Sequence, residues 1–242
     1  WYAPRPDGRE VVVLDPFAGG PTRGVVAAHL GFRYIGIDLC AAQVAANRQN
    51  ASECCRDCQH APLWVCGDAR EADAILRREL GPHALADVVL TCPPYWNLEV
   101  YSQDPSDLSN APNYDAFADS LQVCVAAAVR ALRPQHAAIL VVGNVRARGE
   151  LCDVHSDTKV ALRLAGCALY VDAVLRTCLF TAPYRATRYM NSACKLVGVH
   201  QNVVIACKER VFDKAFCARV GIVPSIERTG PTATPPASTL PP

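Results

Sequence analysis

Short runs of aliphatic and β-branched residues alternate with segments of helical periodicity almost from the start of the chain. The apolar runs predict strands at 11–15, 33–38, 63–67, 87–91, 137–143, 169–178 and 201–208, of the length expected for strands buried on both faces. Helices are predicted between them at 23–30, 41–50, 70–80, 114–132 and 156–164. The 114–132 segment is the clearest, with Phe117, Leu121, Val125, Ala128 and Leu132 on one stripe. It should end at Arg133-Pro134, because the residue before a proline resists the α conformation.

Strand–helix alternation predicts an α/β fold, an open seven-stranded and mostly parallel sheet with helices on both faces. Ligands of such sheets bind at the carboxyl ends of the strands, near the topological switch point. Two connections, 92–113 and 179–200, are longer than usual, and long connections in compact domains point to function. The final stretch TGPTATPPASTLPP has five prolines in 14 residues and no apolar periodicity. This divides the chain into a domain at 1–222 and a tail or linker at 223–242.

Composition narrows the class. With 51% hydrophobic and 19% charged residues, the 242-residue chain is not mainly disordered. A net charge of +1 excludes a polyelectrolyte-type nucleic-acid binder but leaves room for a local basic groove. Apolar runs such as AAILVVG at 137–143 are too short to cross a bilayer, so no membrane partner is expected. The abrupt opening at Trp1 reads as a piece of a longer protein with further domains. Thirteen scattered cysteines, several inside apolar runs, predict a reducing, intracellular setting, cytoplasm or nucleus. In ECCRDCQH at 53–60, Cys55, Cys58, His60 and the later Cys66 could in principle hold zinc. A second well-spaced ligand pair is missing, so the expectation is a polar, cysteine-rich loop without metal.

Four sequences carry candidate chemistry. VVVLDPFAGGPTRG at 11–24 is a strand, an acid, a glycine-rich turn and a helix start. It matches neither the dinucleotide fingerprint nor the P-loop, and tight packing would explain its glycines as well as ligand approach would. Asp38 ends the strand YIGID, where an acid can accept hydrogen bonds from both ribose hydroxyls of a nucleoside cofactor, or cap the next helix. Asp68 in WVCGDAR ends the third strand, within reach of an adenine amine. Three successive strands thus end in Asp15, Asp38 and Asp68. In VVLTCPPYW at 88–96, two prolines stiffen a turn that should aim the Pro93 carbonyl and the Tyr95 ring into the cleft.

DPFAGG, YIGID, VCGDAR and TCPPYW, in this order, resemble the motifs of S-adenosylmethionine-dependent amino-group DNA methyltransferases, the N4-cytosine and N6-adenine class. The likeness is strongest to phage- and prophage-type modification methylases, and NLEVYSQDPSDLSNAPNY at 97–114 extends it. It spans about 11–208. The resemblance implies a Rossmann-like class I methyltransferase fold and S-adenosylmethionine as cofactor. It places Asp15, Phe17, Ala18, Gly19 and Gly20 in the cofactor loop, Asp38 on the ribose and Asp68 on the adenine. Cys92, Pro93, Pro94 and Tyr95 occupy the catalytic tetrapeptide, with Tyr95 stacking an extruded base through its ring. Cys92 stands where Asp, Asn or Ser is usual, and a thiol is a weak acceptor. The family's helix upstream of the first motif would precede Trp1, and Cys194 replaces the arginine of a basic pair beside Lys195.

The expected partner is DNA. Residues 173–208 contain no Asp or Glu, and Arg185, Arg188 and Lys195 are the expected contacts. RNA or another planar amine is the alternative substrate, and a cofactor-binding pseudoenzyme module is the alternative from a different class.

Overall fold

A computed structural model of the chain describes residues 9–176, 182–193 and 198–209. The first four strand–helix units follow the sequence closely. They are β1 (Val12–Asp15), α1 (Thr22–His29), β2 (Arg33–Asp38), α2 (Ala41–Cys54), β3 (Leu63–Cys66), α3 (Ala72–Leu80), β4 (Ala86–Thr91) and α4 (Tyr114–Ala131). After them come β5 (Leu132–Val142), β6 (Val145–Ala147), β7 (Glu150–Cys152), α5 (Val154–Leu164), β8 (Cys167–Arg176), α6 (Ala182–Ala193) and β9 (His200–Lys208).

Seven strands form one sheet in the order β3-β2-β1-β4-β5-β9-β8. The first five are parallel, and β9 runs antiparallel to both β5 and β8. The sheet is therefore mostly parallel, as the alternation implies.

Strand periodicity sorts the core into two layers. Leu14, Ile35, Ile37, Val65 and Val89 face one cluster with Ile75, Phe117, Leu121 and Leu162 of α3, α4 and α5. Val13, Tyr34, Trp64 and Val88 face the other with Ala27, Val44 and Ala51 of α1 and α2. Trp64 and Tyr34 are fully buried with ring centroids 5.8 Å apart. Their bulk is why Gly24 and Gly36 carry no side chain. A Cβ on Gly24 would lie 2.5 Å from the Trp64 ring, and one on Gly36 2.7 Å from Tyr34.

Three parts depart from the sequence expectation. Helix α4 ends at Ala131 as the proline requires, but β5 starts at once, with Pro134 inside it. Register shifts between Ala86 and Val88, and Gln135 has φ of 63°, so Pro134 sits in a bulge that needs no ladder donor. A two-stranded hairpin, β6–β7, follows β5 and turns at Arg148 and Gly149, both with positive φ. The 179–200 connection, expected as irregular chain, contains α6. Cys178, Cys194, Lys195 and the 223–242 tail lie outside the described residues.

Candidate active site

The carboxyl ends of β1, β2 and β4 meet at the switch point where the chain leaves β1 for β2 on one side and β4 borders it on the other. A cleft of about 200 Å³ opens there.

The glycine-rich turn forms one wall. Phe17, Ala18, Gly19 and Gly20 all line the cleft. The Ala18 N–H donates to the Ile37 carbonyl at 2.9 Å, tying the turn to β2. Gly19 has φ of +54°, in the left-handed region that glycine enters without strain. A Cβ built on Gly20 meets nothing within 4 Å, so that backbone is open to a ligand.

With Asp68 and Asp107, Asp38 is one of three carboxylates that line the cleft. One oxygen accepts the Gly19 N–H at 2.9 Å and the other the Cys40 N–H at 2.8 Å. It does not cap α2, whose N-cap is Cys40. Two of its four lone-pair sites remain for a ligand. Burial pushes its carboxyl above the ordinary value, the two backbone N–H groups partly offset this, and Asp15 and Asp107 reinforce it.

Asp15 plays a different part. It is fully buried and does not line the cleft. Its Oδ2 accepts from Arg23 Nε at 2.6 Å and the Tyr34 hydroxyl at 2.8 Å. Its Oδ1 accepts from Thr91 Oγ1 at 2.7 Å and the Phe17 N–H at 3.3 Å. Arg23 also donates to the Phe17 and Ala18 carbonyls at 2.7 and 3.0 Å. The Asp15–Arg23 pair thus holds the turn in shape from behind. Asp68 does line the cleft, with its carboxylate engaged by the Arg70 N–H at 2.8 Å and the Arg70 guanidinium at 2.7 Å.

The TCPPYW turn forms the opposite wall through Cys92 and Pro94. Pro93 is buried. Tyr95 does not line the cleft: its ring packs on Gly143, where a Cβ would come within 3.2 Å. The Tyr95 hydroxyl lies 3.1 Å from Cys92 Sγ, accepts from Gln201 Nε2 at 2.7 Å and reaches the Val141 carbonyl at 3.5 Å. The expectation that only the ring matters misses this hydroxyl. Burial pushes the Cys92 thiol up, so it is neutral near pH 7. A neutral, hydrogen-bonded thiol is a poor nucleophile. Trp96 completes the turn with φ of 49°, a strained conformation for a bulky residue, while its Nε1 donates to the Ala111 carbonyl at 3.2 Å.

Several site residues have no counterpart in the sequence-based set. Arg23, Tyr101, Ser102 and Asp107 line the cleft. Buried Asn47 donates to the Gly19 carbonyl at 2.7 Å. Asp107 accepts from the Ser109 N–H and hydroxyl and the Ser102 hydroxyl at 2.8–2.9 Å, which braces the 97–113 connection across the cleft. The repeated Asp/Ser spacing of SQDPSDLSN is a readable signal for such side-chain-to-backbone turns.

Further basic groups lie on the β8–β9 connection and on the hairpin after β5. Because β9 opposes both neighbours, β8 runs parallel to β5, and the α6 connection leaves the sheet beside Gln201 at its carboxyl edge. Arg188 is exposed, and the Arg185 guanidinium sits 6.0 Å from the Tyr189 ring centroid. The hairpin after β5 adds exposed Arg146 and Arg148. No helix among the described residues is long and apolar enough to cross a membrane.

No protein-family model and no curated protein matches the chain. Solved structures do. Magnesium protoporphyrin IX methyltransferase from Synechocystis, solved with bound SAM, aligns over 84% of this chain and 73% of its own, with TM-score 0.52 and 14% identity. TrmN from Thermus thermophilus aligns over 84% of this chain, which spans 45% of that protein, with TM-score 0.51 and 20% identity. An rRNA methylase from Streptococcus thermophilus aligns over 83% of this chain and 89% of its own, with TM-score 0.50 and 10% identity. At such identities the likeness concerns architecture alone: the chain has the Rossmann-like class I methyltransferase fold.

Proposed function

We propose that the chain is an S-adenosylmethionine-dependent methyltransferase acting on an exocyclic amine of a DNA base, N4 of cytosine or N6 of adenine. The observation that carries this reading is a convergence. The glycine turn, Asp38 and, from the TCPPYW turn, Cys92 and Pro94 bound one cleft at the carboxyl ends of β1, β2 and β4.

The cleft fits the cofactor. Asp38 has unused acceptor sites for ribose hydroxyls, Gly20 leaves backbone open to close approach, and Ile37, Leu39 and Ala69 give an apolar lining for a purine. Asp68 and Arg70 would border the adenine. Bound there, S-adenosylmethionine supplies an electrophilic methyl group.

The chain's own residues then have defined work. An exocyclic amine is a weak nucleophile because its lone pair is delocalised into the ring. Accepting hydrogen bonds from its two N–H groups at the Cys92 sulfur and the Pro93 carbonyl would draw the nitrogen toward sp³ and stabilise the charge that develops, and the proton released on transfer leaves to solvent. The Tyr95 hydroxyl, itself fixed by Gln201, orients that sulfur. The neutral thiol supports direct transfer over a covalent cysteine adduct. Support for a nucleic-acid substrate comes from the acid-free 173–208 segment, which carries Arg185 and Arg188 on α6 between β8 and β9.

The test is transfer of labelled methyl to DNA and to RNA, with the product bases identified after hydrolysis. N4-methylcytosine or N6-methyladenine in DNA is expected. 5-Methylcytosine, or a trapped adduct with 5-fluorocytosine DNA, would refute amine chemistry. Methylated RNA alone would move the substrate class. No transfer despite cofactor binding would favour a pseudoenzyme.

A further inference from the structure

The end of the molecule opposite the cleft holds a cluster of soft ligands. Helices α1 and α2 start at the carboxyl edge of the sheet and run back against the strands, so their last turns reach its amino edge. His29 is the last residue of α1, and Cys55 and Cys58 follow the end of α2. One ring nitrogen of His29 and the two sulfurs all lie within 4.8 Å of one another. Cys55 is 5% exposed, and Cys58 packs at the margin of the same core layer. The Cys58 N–H donates to the Cys55 carbonyl at 3.2 Å, which folds the Cys-x2-Cys stretch into a tight turn. His29 Nε2 lies 3.0 Å from the Cys54 carbonyl. A carbonyl can only accept, so Nε2 carries the proton and the lone pair rests on Nδ1.

The donors expected from sequence separate here. Cys55 and Cys58 stay together, but His60 pairs with Glu10 at 3.2 Å and the Cys66 thiol contacts the Leu39 carbonyl at 3.5 Å. His29, distant in sequence, takes the third place.

We propose that His29, Cys55 and Cys58 bind zinc, with a water oxygen as fourth ligand, and so clamp the ends of α1 and α2. Two sulfurs and an imidazole select zinc over hard cations such as magnesium or calcium. Zinc–sulfur bonds of about 2.3 Å and zinc–nitrogen bonds of about 2.0 Å set ligand separations near 3.5–3.8 Å in a tetrahedron. Side-chain rotation closes the remaining gap. Binding displaces two thiol protons to solvent, leaving two thiolates that neutralise the divalent charge. A recess of about 230 Å³ lined by His29, Cys58, Asp57 and Gln59 leaves room for the water. The clamp also has a reason to exist. Helix α1 begins at the glycine turn, while α2 begins just after Asp38 and carries Asn47, so fixing their far ends steadies the scaffold of the cleft.

The experiment measures zinc in the reduced, untagged chain and then titrates the metal-free protein with cobalt(II). The expected result is one metal per chain, with a thiolate-to-cobalt charge-transfer band and tetrahedral d–d bands. Zinc at about 100 times its Kd should raise the Tm by about 5–10 °C. His29→Ala should weaken binding at least tenfold, and Cys55→Ser with Cys58→Ser should abolish it. His29 is exposed, so its variant tests the site even if the cysteine pair is needed for folding. Three results would overturn the proposal: cobalt spectra without thiolate bands, affinity unchanged in His29→Ala, or a metal-free protein with a Cys55–Cys58 disulfide.

Discussion

Replacing Asp15 by Asn should cost stability rather than cofactor contacts. Four donors converge on the two oxygens of this fully buried carboxylate: Arg23, Tyr34, Thr91 and the Phe17 N–H. Asparagine keeps the shape but only one acceptor. If its oxygen serves Thr91 and Phe17, its NH₂ faces Arg23, which has no lone pair to offer. Losing a charge-assisted hydrogen bond costs about 1.5–3 kcal/mol, and the mismatched buried donors add about 1 more. The Arg23 side chain is 32% exposed, so solvent recovers part of this. The net expectation is a loss of about 2–4 kcal/mol. Urea unfolding should show a lower midpoint at unchanged m. Calorimetry at a temperature where both proteins are folded should show cofactor affinity lowered less than Asp38→Ala lowers it. An unchanged midpoint combined with a tenfold loss of affinity would refute the assignment of Asp15 as an anchor and make it a ligand contact.

Four other outcomes are expected. Asp38→Ala should weaken cofactor binding by about one to two decades, since hydrogen bonds to a charged acceptor contribute about 1.5–3 kcal/mol. Burial raises the Asp38 carboxyl, so its proton competes with a hydroxyl donor at higher pH than on a surface aspartate. Affinity measured by calorimetry should therefore fall as pH is lowered from about 7 to about 4, and Asp38→Asn should flatten that profile. Tyr95→Phe should slow methyl transfer about five- to thirtyfold while leaving cofactor affinity nearly unchanged, because it removes the hydroxyl held by Cys92 and Gln201; a wild-type rate would count against its orienting role. Arg185→Ala with Arg188→Ala should weaken DNA binding and lower the salt slope by up to about two units, whereas unchanged binding and slope would place the groove elsewhere.

Apolar periodicity located all seven strands of the sheet, because each carries a run of aliphatic and β-branched residues, even the largely exposed edge strand β8. It could not give direction. The run ending in Val204–Cys207 reads the same either way, and only pairing with Val141 and Ala138 shows β9 reversed. The β6–β7 strands have three residues each, too few to display a period, and their turn uses Arg148-Gly149 where Asn-Gly would announce a hairpin. Helix α6 escaped because Tyr184 and Met190 are exposed, which breaks the expected apolar stripe. Pro183 in its first turn was the available signal.

The three strand-ending acids show where a one-dimensional pattern stops. Asp15, Asp38 and Asp68 occupy equivalent positions in sequence, yet their surroundings divide the work. Asp15 lies against Tyr34 in the layer beneath α1, where a lone carboxylate would be prohibitively costly, so Arg23 reaches back from α1 to pair with it. Asp38 meets only backbone N–H groups and keeps acceptor sites for a ligand. Asp68 caps a 3-10 turn and is partnered by Arg70. Arg23 and Asn47 look like solvent-facing helix residues in the sequence, and their roles follow from the buried groups they satisfy. His29 obeys the same logic at the other edge, where two helix ends meet and no spacing rule could join it to Cys55. Motifs identify ligands that share a loop; packing alone identifies those contributed by separate elements.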